Sequence, residues 1–249
     1  MPTKLLVDGD IVAYRSAAAA ENEDEGIARY YADRLLQQIL EDCKTDKFQI
    51  FMTGDSNFRY QIFPEYKANR LNVPKPKHLK HLQEYITSQY DATWSNNCEA
   101  DDLMGIAQCA SDEDTTIVSI DKDLLMIPGK HYQWEIRGNS GGKPWVKPAT
   151  FKTVSDLEGM RWFYTQCLIG DTADNIKGAT GVGKVGASRI LGQCETEQEM
   201  FEAVRDCFSL DEEFIMNAEV LWIQRKENDS IKEQWLEQGR FKGSMAYEY

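Results

Sequence analysis

Acidic side chains recur in this sequence at positions where several could bind one divalent cation. Acids follow three short apolar runs, and two further groups place acids three residues apart, as on one face of a helix. The candidate ligands are Asp8, Asp55, Glu99, Asp101, Asp102, Asp121, Asp123, Asp171 and Asp174. Carboxylates without His or Cys suit Mg²⁺ or Mn²⁺. The sequence therefore predicts a divalent metal site built from carboxylates.

Such a cluster has an electrostatic cost and a chemical use. Two like charges about 4 Å apart repel by roughly 1 kcal/mol in water and about 4 kcal/mol near a protein surface, so bound cations would be needed to neutralise the site. Two metal ions about 3.5–4 Å apart activate a water molecule and stabilise the leaving oxygen of a phosphodiester. For a single strand, an Asp that caps a helix or forms a turn is the favoured interpretation. The same pattern after three strands shifts the balance toward metal chemistry.

The elements that must position these acids alternate between strand and helix. Short aliphatic runs predict strands at Lys4–Val7, Gln49–Met52 and Thr116–Ile120, and the clearest helical patterns are Ile27–Leu40 and Leu103–Cys109. This alternation predicts an α/β fold, a mostly parallel sheet flanked by helices. In such sheets ligands bind outside the carboxyl ends of the strands, where the acids would meet.

The second half of the chain has a different pattern. Tyr132–Val146 is predicted to form a hairpin around its Gly-Gly pair, and beyond Asp156 strand signals give way to helices as far as about residue 227. We therefore divide the chain near residue 155, into an α/β domain (1–155) and a helical region (156–249). The last twenty residues are polar and are expected to fray.

A glycine-rich run, Gly178–Ala187, can be interpreted in three ways. It is one residue short of a P-loop, with Val185 where a Mg²⁺-binding hydroxyl is required, and it also contains the spacing of a dinucleotide-binding fingerprint. Both motifs must follow a strand, whereas Met160–Ile169 is predicted to be a helix. The third interpretation is a helix–turn–helix whose backbone N–H groups meet a DNA phosphate, and a plain helix cap and turn is the ordinary alternative. The residues available for a phosphate contact are Lys177, Gly181, Gly183, Lys184 and Arg189.

The net charge of −13 argues at first against nucleic acid, because phosphate binding normally leaves a basic footprint. The charge is unevenly distributed, however. Between Arg59 and His81 there are six Lys or Arg residues and one acid, Glu65. These cations are Arg59, Lys67, Arg70, Lys75, Lys77 and Lys80. The segment is therefore predicted to be a local basic patch in an acidic protein.

Other function classes find no support in the sequence. No apolar run approaches the eighteen or more residues needed to span a membrane, and the N-terminus lacks an apolar signal segment with a cleavage site. The six cysteines include no C-x-x-C pair and only three His are present, which argues against a zinc site. We therefore expect a cytoplasmic protein without a membrane partner, whose cysteines are buried and reduced.

Six motifs in a fixed order make the sequence similar to the 5′-nuclease family. This family comprises flap endonucleases, phage 5′→3′ exonucleases and the 5′-nuclease domain of bacterial DNA polymerase I. The matching segments are Leu6–Gly9, Gly54-Asp55, Pro64–Arg70, Glu99–Asp102, Ser119–Leu125, and Gly170–Ile176 running into Gly181–Gly183. Because no polymerase segment is attached, the chain looks like the standalone, phage-type members. It is expected to be a monomer in the cytoplasm, or in the host cytoplasm if a phage encodes it.

The resemblance implies a PIN-like nuclease domain over residues 1–155 and a DNA-binding region with a helix-3-turn-helix over residues 156–249. It also implies two metal ions. The first would be held by Asp8, Asp55, Glu99, Asp101 and Asp102, and the second by Asp121, Asp123, Asp171 and Asp174. The catalytic residues would be Lys67, Arg70 and Asp123, of which Lys67 contacts the scissile phosphate. Tyr66 would stack on or near the terminal base, and the turn at Gly181–Ala187 would bind K⁺ and clamp duplex phosphate.

The implied activity is that of a metal-dependent 5′→3′ exonuclease or structure-specific 5′ nuclease, acting on duplex, flap or RNA–DNA hybrid substrates in DNA replication. Only 31 residues separate Lys67 from Glu99, and Pro74 and Pro76 interrupt the start of that segment. This is short for a long helical arch, so trimming from a 5′ end is favoured over cutting a long single-stranded flap. A PIN-type endoribonuclease would explain the acids but not the glycine-rich turn or the segment Pro64–Arg70. A non-catalytic DNA-binding module would use the acids only as caps and surface residues.

Overall fold

The computed structural model describes residues 3–241 of the chain. The strands are β1 (Lys4–Asp8), β2 (Phe48–Met52), β3 (Thr93–Trp94), β4 (Thr115–Val118), β5 (Gly129–Gln133), β6 (Ile136–Ser140), β7 (Lys143–Lys147), β8 (Thr150–Val154), β9 (Gly170–Asp171) and β10 (Ile176–Lys177). Six of them form the central sheet in the order β3-β2-β1-β4-β5-β8. The first five run parallel, and β8 is antiparallel to β5. The predicted mostly parallel α/β sheet is therefore confirmed.

Helices cover both faces of this sheet. They are α1 (Gly9–Ala19), α2 (Glu25–Cys43), α3 (Arg59–Ile62), α4 (Leu79–Tyr90), α5 (Ala100–Ala110), α6 (Asp156–Ile169), α7 (Lys184–Leu191), α8 (Glu197–Arg205), α9 (Asp211–Leu221) and α10 (Ile231–Glu237). Several begin at a side chain that caps the free N–H groups of the first turn, as Ser155 and Glu158 do for α6. None of the helices in residues 3–241 is both long and apolar enough to cross a membrane.

The two faces of β1 belong to separate apolar cores, because successive side chains in a strand point to opposite sides. Leu5 and Val7 pack with α1, α2 and α4 on one face. Leu6 packs on the other face with residues of α5, α6 and α9. A strand buried on both faces has consecutive apolar residues in its sequence, and this pattern allowed β1, β2 and β4 to be predicted.

Three strands of the sheet were not predicted, and the physical reasons differ. β3 has only two residues, β5 (Gly129–Gln133) mixes charged and aromatic side chains, and β8 (Thr150–Val154) is an edge strand exposed over most of its length. The predicted strand at Thr116–Ile120 ends at Val118. The predicted hairpin is present, but it comprises β6 and β7, so Tyr132 belongs to β5 instead.

The C-terminal region is more ordered than its polar composition indicated. Trp235 in α10 is 1% exposed and lies 4.9 Å from Phe214, ring centre to ring centre. The expectation that the last twenty residues fray is therefore wrong as far as Phe241, and residues 242–249 lie outside the described part. The boundary at residue 155 stays a prediction, since the core under Leu6 contains residues from both sides of it.

The six cysteines are all unpaired. Cys98, Cys167 and Cys194 are buried, and Cys43 and Cys207 are half-buried. Cys109 is exposed, so the expectation that every cysteine is buried is wrong for this residue.

Candidate active site

The carboxyl ends of the parallel strands border a cavity of about 820 Å³. Five of the nine predicted metal ligands line it: Asp8, Asp55, Glu99, Asp101 and Asp121. They come from the ends of β1, β2 and β4 and from the start of α5. The parallel register of β1 with β2 and β4 is what brings residues this distant in sequence to one edge. The other four predicted ligands do not line the cavity.

Asp8 and Asp101 are the most electrostatically strained members of the group. Burial is the main cause that raises the pKa of Asp8 to about 7, although hydrogen bonds from the Ser119 hydroxyl (2.7 Å) and the Ile11 amide (3.0 Å) act in the opposite direction. Burial and the neighbouring charges of Asp8 and Asp121 raise the pKa of Asp101 well above its ordinary value. The charged forms of Asp8 and Asp101 are therefore only weakly stabilised by solvent and by neighbouring cations.

A sixth acid of the cavity, Asp10, was not among the predicted ligands. Its carboxylate accepts a hydrogen bond from the Thr53 amide at 2.9 Å, which joins α1 to the end of β2. Burial raises the pKa of Asp10, and the charge of Glu99 raises it further. The Asp8-Gly9-Asp10 spacing, which Asp121-Lys122-Asp123 repeats, was a signal that could have identified it.

The donor set fits a hard divalent cation in its chemistry, since the acids of the cavity offer only oxygen. Among the described residues, no three Asp, Glu, His or Cys side chains already lie together as a complete set of metal ligands. Like-charged carboxylates repel one another, and a cation between them would attract both and outweigh that repulsion. The residues therefore fit Mg²⁺ or Mn²⁺ if the carboxylates draw together around the ion.

Asp121, Asp123 and Asp171 form a second acidic group beside the cavity. The Asp123 amide donates to Asp121 at 2.9 Å, and Lys122 Nζ lies 3.6 Å from Asp123 and 3.7 Å from Asp171. Gln166 of α6 donates to Asp123 at 2.7 Å. Burial, together with the charge of Asp121, raises the pKa of Asp123 to about 7. The helical region thus contributes directly to this acidic edge.

Asp174 lies with the first group rather than the second. Lys67 forms an ion pair with Glu99, and its Nζ is 3.8 Å from Asp174. The Lys67 amide also donates to the Asp174 carbonyl at 3.0 Å, which holds the Lys67 backbone in the left-handed region at φ 55°. Burial works against the charge of Lys67, but Glu99 and Asp174 raise its pKa. Lys67 therefore connects the sheet edge to the turn after α6.

Tyr66 is buried in this structure, so its stacking on or near a terminal base stays a prediction that would need this side chain to move. Its side chain is 3% exposed, and its hydroxyl oxygen lies 3.0 Å from carboxylate oxygens of both Glu99 and Asp174, which share its single donor hydrogen. Tyr60, which lines the cavity and is 48% exposed, packs edge-on against the Tyr66 ring. Tyr66 thus positions the carboxylates, and Tyr60 is the accessible ring.

The prediction that Asp102 holds metal does not fit its contacts. Asp102 is fully buried and makes a bidentate ion pair with Arg59, at 2.6 and 2.9 Å. Its oxygens also accept from the backbone amides of Glu99 and Gln224. Arg59 in turn donates to two carbonyls at the end of α9, so the pair joins α3, α5 and α9. Asp102 is therefore a structural residue, and Arg59 must be removed from the predicted basic patch.

The remaining cations of that patch lie at the cavity. Arg70, Lys75, Lys77 and Lys80 line it together with Lys67. Arg70 is half exposed and pairs with Asp174, while its Nε donates to the Ala173 carbonyl at 2.7 Å. The cavity thus has an acidic floor, made by its carboxylates, and a basic rim, made by these five cations. This arrangement suits a phosphodiester, because the rim can hold the phosphate while metal ions bound at the floor engage its oxygens.

The glycine-rich run joins α6 to α7, as a helix–turn–helix requires. It follows the two-residue strand β10 of a separate antiparallel ribbon rather than a strand of the main sheet. The P-loop and dinucleotide interpretations therefore fail. Gly181 has φ 78°, a conformation that favours glycine, and Gly183 precedes the first turn of α7 without a side-chain cap. Lys177, Lys184 and Arg189 are exposed around this turn.

Comparison with known proteins agrees with this geometry. The profile of the family described as 5′-3′ exonuclease, N-terminal resolvase-like domain, matches residues 3–149. DNA polymerase I of Bacillus caldotenax is 29% identical over 224 residues, which cover 80% of this chain and 24% of that polymerase. The Bacillus subtilis enzyme is 29% identical over 216 residues, with the same coverage. The chain thus spans about a quarter of the length of the curated relatives it matches.

Solved structures show the same fold. The T5 D15 protein co-crystallised with metal ions has a TM-score of 0.63 and 15% identity, with 88% of each chain covered. The T5 5′-exonuclease with bound zinc ions has a TM-score of 0.62 and 17% identity, with 88% of this chain and 89% of that chain covered. The catalytic core of Rad2 in complex with a DNA substrate has a TM-score of 0.54 and 15% identity, with 92% and 80% covered.

Proposed function

We propose a 5′ nuclease activity for this chain, because it belongs to the 5′-3′ exonuclease family, N-terminal resolvase-like domain. The reaction is the metal-dependent hydrolysis of phosphodiester bonds at the 5′ ends of DNA. One observation carries the proposal: five predicted carboxylate ligands line a single cavity with Lys67 at its side. A role in DNA replication, a monomeric state and a cytoplasmic location remain predictions.

The chain's own residues would divide the work of hydrolysis. Asp8, Asp55, Glu99, Asp101 and Asp121, with Asp10, would hold one divalent ion, and Asp123 and Asp171, together with Asp121, would hold a second. Bound cations would supply an activated water and neutralise the charge that develops on the phosphate. The basic rim would position the phosphodiester over the acidic floor. Lys67 would stabilise charge on the phosphate, since its ammonium is anchored by Glu99 and needs little reorganisation.

The turn between α6 and α7 is proposed as the contact with the duplex. Gly181 and Gly183 carry no side chain that would keep a phosphate from the backbone N–H groups of the first turn of α7. Lys177, Lys184 and Arg189 would add phosphate contacts that hold the duplex without reading its sequence. K⁺ at this turn remains a prediction that rests on the resemblance alone.

Removal of nucleotides from a 5′ end is favoured over cutting a long flap. The chain between Lys67 and Glu99 comprises a short 3-10 turn, an irregular stretch, the helix α4 and the short strand β3. Leu82 and Ile86 of α4 are buried against α1 and α2, so this helix is part of the fold rather than a raised arch. RNA–DNA hybrids remain a predicted substrate.

A nuclease assay tests the proposed function directly. The substrates are a blunt duplex, a 5′ flap and an RNA–DNA hybrid, each labelled at either end of the cleaved strand. We expect cleavage from the 5′ end in Mg²⁺ or Mn²⁺ and none in EDTA, because in the proposed mechanism the bound cations supply the activated water and neutralise the charge on the phosphate. Full hydrolysis in EDTA would refute the metal mechanism, and internal cleavage of single-stranded RNA would favour the endoribonuclease.

Metal binding should strengthen as the pH rises through about 7. The pKa values of Asp8 and Asp123 are both raised to about 7, so these side chains are mostly protonated at pH 6 and ionised at pH 8. Protons therefore compete with the metal at the lower pH. At one hundred times the dissociation constant, Mg²⁺ would stabilise the fold by about 2.7 kcal/mol, or roughly 5–10 °C in Tm. Thermal melts with and without Mg²⁺ should show a larger shift at pH 8, and an equal or smaller shift would contradict the assignment.

A further inference from the structure

The hairpin β6–β7 and the strand β8 carry a basic, aromatic surface that the proposed active site does not use. Residues 136–154 contain Arg137, Lys143, Lys147 and Lys152 and no acid, although the whole chain has a net charge of −13. Trp145, at 45% exposed, and Val146, at 56% exposed, lie at the middle of β7. A cationic surface with an accessible aromatic ring is typical of proteins that bind single-stranded nucleic acid.

The topology places this hairpin beside the acidic cavity. β5 runs parallel to β4, so its carboxyl end lies at the same edge of the sheet as Asp121. The hairpin leaves β5 after Gln133 and returns at Thr150, which pairs with Gln133. The amide of Ser119, two residues before Asp121, donates to the Tyr132 carbonyl at 3.2 Å. The root of the hairpin is therefore one strand away from the acidic group.

The two faces of the hairpin differ in chemistry. Alternate residues of a strand share a face, so Lys143, Trp145 and Lys147 form one stripe, with each lysine about 6.8 Å along the strand from the tryptophan. Val146 and Arg137 are cross-strand partners on the opposite face. Arg137 is paired with Glu135 at 2.6 Å, whereas Lys147 donates to the neutral Gln133 amide oxygen at 3.2 Å.

Gly138 gives the Trp145 ring its position. The two residues are cross-strand partners, and a Cβ at Gly138 would lie 2.3 Å from Cζ2 of Trp145. The indole therefore lies across the glycine backbone, where any larger residue would displace it. A ring held against the hairpin on one side presents its other side to solvent.

We propose that the Lys143–Trp145–Lys147 stripe binds single-stranded DNA next to the active site, with a base stacked on Trp145 and phosphates on the lysines. This deepens the proposed function and rests on it for the identity of the nucleic acid. Charge complementarity favours a polyanion over a protein partner, since the stripe has no acid. The strand bound there would be the unpaired part of a substrate whose duplex end lies at the carboxylates.

Binding of a labelled DNA single strand of about 12 nucleotides, followed by fluorescence anisotropy in EDTA, tests the inference without cleavage. Trp145→Ala should raise the Kd roughly 5- to 150-fold, the range found when aromatic stacking partners of bases are removed. Trp145→Phe should retain most of the affinity. Val146→Ala is the matched control on the other face of the same strand and should change the Kd less than twofold. Lys143→Gln should lower the slope of log affinity against log salt by about 0.7.

Gly138→Val gives a second variant that keeps the indole but displaces it, and it should weaken binding in the same direction as Trp145→Ala. Equal Kd values for wild type, Trp145→Ala and Gly138→Val would overturn the inference, as would a wild type that does not bind the oligonucleotide. Cleavage of a blunt duplex in Mg²⁺, measured in parallel, separates the two proposals. If the wild type cleaves the duplex and the variants bind the single strand as tightly as the wild type does, only the hairpin site is refuted. If the variants bind the single strand more weakly but the wild type does not cleave the duplex, only the nuclease proposal is refuted.

Discussion

Asp101→Asn should abolish cleavage while preserving DNA binding. Asp101 lines the cavity, and its pKa is raised by burial and by the charges of Asp8 and Asp121, so it lies among the other acids that would hold metal. Loss of a metal ligand there would remove several kcal/mol of transition-state stabilisation, which corresponds to more than roughly a thousandfold in rate. Single-turnover cleavage in saturating Mg²⁺ measures the effect, and anisotropy with a 5′-recessed duplex measures binding.

The same substitution should make the metal-free protein more stable. Burial and the charges of Asp8 and Asp121 raise the pKa of Asp101, so at neutral pH folding requires this carboxyl either to take up a proton or to keep a poorly stabilised charge, and Asn requires neither. Each kcal/mol gained would raise the Tm by roughly 2–4 °C for a chain of this size. The stabilisation by Mg²⁺ should shrink or disappear. A variant that cleaves at the wild-type rate, or that responds to Mg²⁺ as the wild type does, would remove Asp101 from the site.

Asp102→Asn is the matched control, because it makes the same chemical change one residue further along α5. Asp102 is bound to Arg59 and faces away from the cavity, so its replacement should lower the stability by about 2–3 kcal/mol, the scale of a hydrogen bond to a charged group. The response of the Tm to Mg²⁺ should persist. The pair of variants thus separates a carboxylate that binds metal from one that holds the fold.

These two adjacent acids show where prediction from the sequence stops. Neighbouring residues of a helix point about 100° apart, and nothing in Glu99–Asp102 indicates which side chain faces the sheet edge. Arg59, which is 43 residues earlier in the chain, determines which of the two acids is buried, because it forms an ion pair with Asp102. Asp8 and Asp121 were predictable because they follow apolar strands, whose parallel pairing fixes the edge at which they lie.

Tyr66 and Lys67 show a related limit. The motif Pro64–Arg70 correctly indicated a basic segment near the acids, but the local sequence could not tell which side chain would be buried. Tyr66 is buried because its ring packs in the core and its hydroxyl finds Glu99 and Asp174, the latter 108 residues away. Contacts between residues this far apart in sequence depend on the tertiary fold, whereas the order of the motifs can be read directly from the sequence.

Lys67→Ala should reduce single-turnover cleavage by about 10²–10³-fold, or roughly 3–4 kcal/mol, while changing the Kd for DNA only a few-fold. Lys67 is only 21% exposed and its ammonium contacts Glu99, so it is fixed close to the acids that would hold metal. A fixed cation acts most strongly on charge that develops in the transition state. Arg70→Ala is the matched control, because Arg70 also contacts Asp174 but is half exposed, and its loss should affect binding more than rate.

Three outcomes would distinguish the possible roles of Lys67. If the Kd rises a hundredfold while the rate at saturation is normal, Lys67 only holds DNA. If the rate is lost but returns at higher Mg²⁺, the lysine serves to organise Glu99 and Asp174, because extra metal then replaces the missing charge between them. If the rate stays low at every Mg²⁺ concentration and the Kd is nearly unchanged, the ammonium acts on the scissile phosphate itself. The last outcome is the one expected, since Asp174 accepts from Tyr66 and Arg70 as well and would remain in place without Lys67.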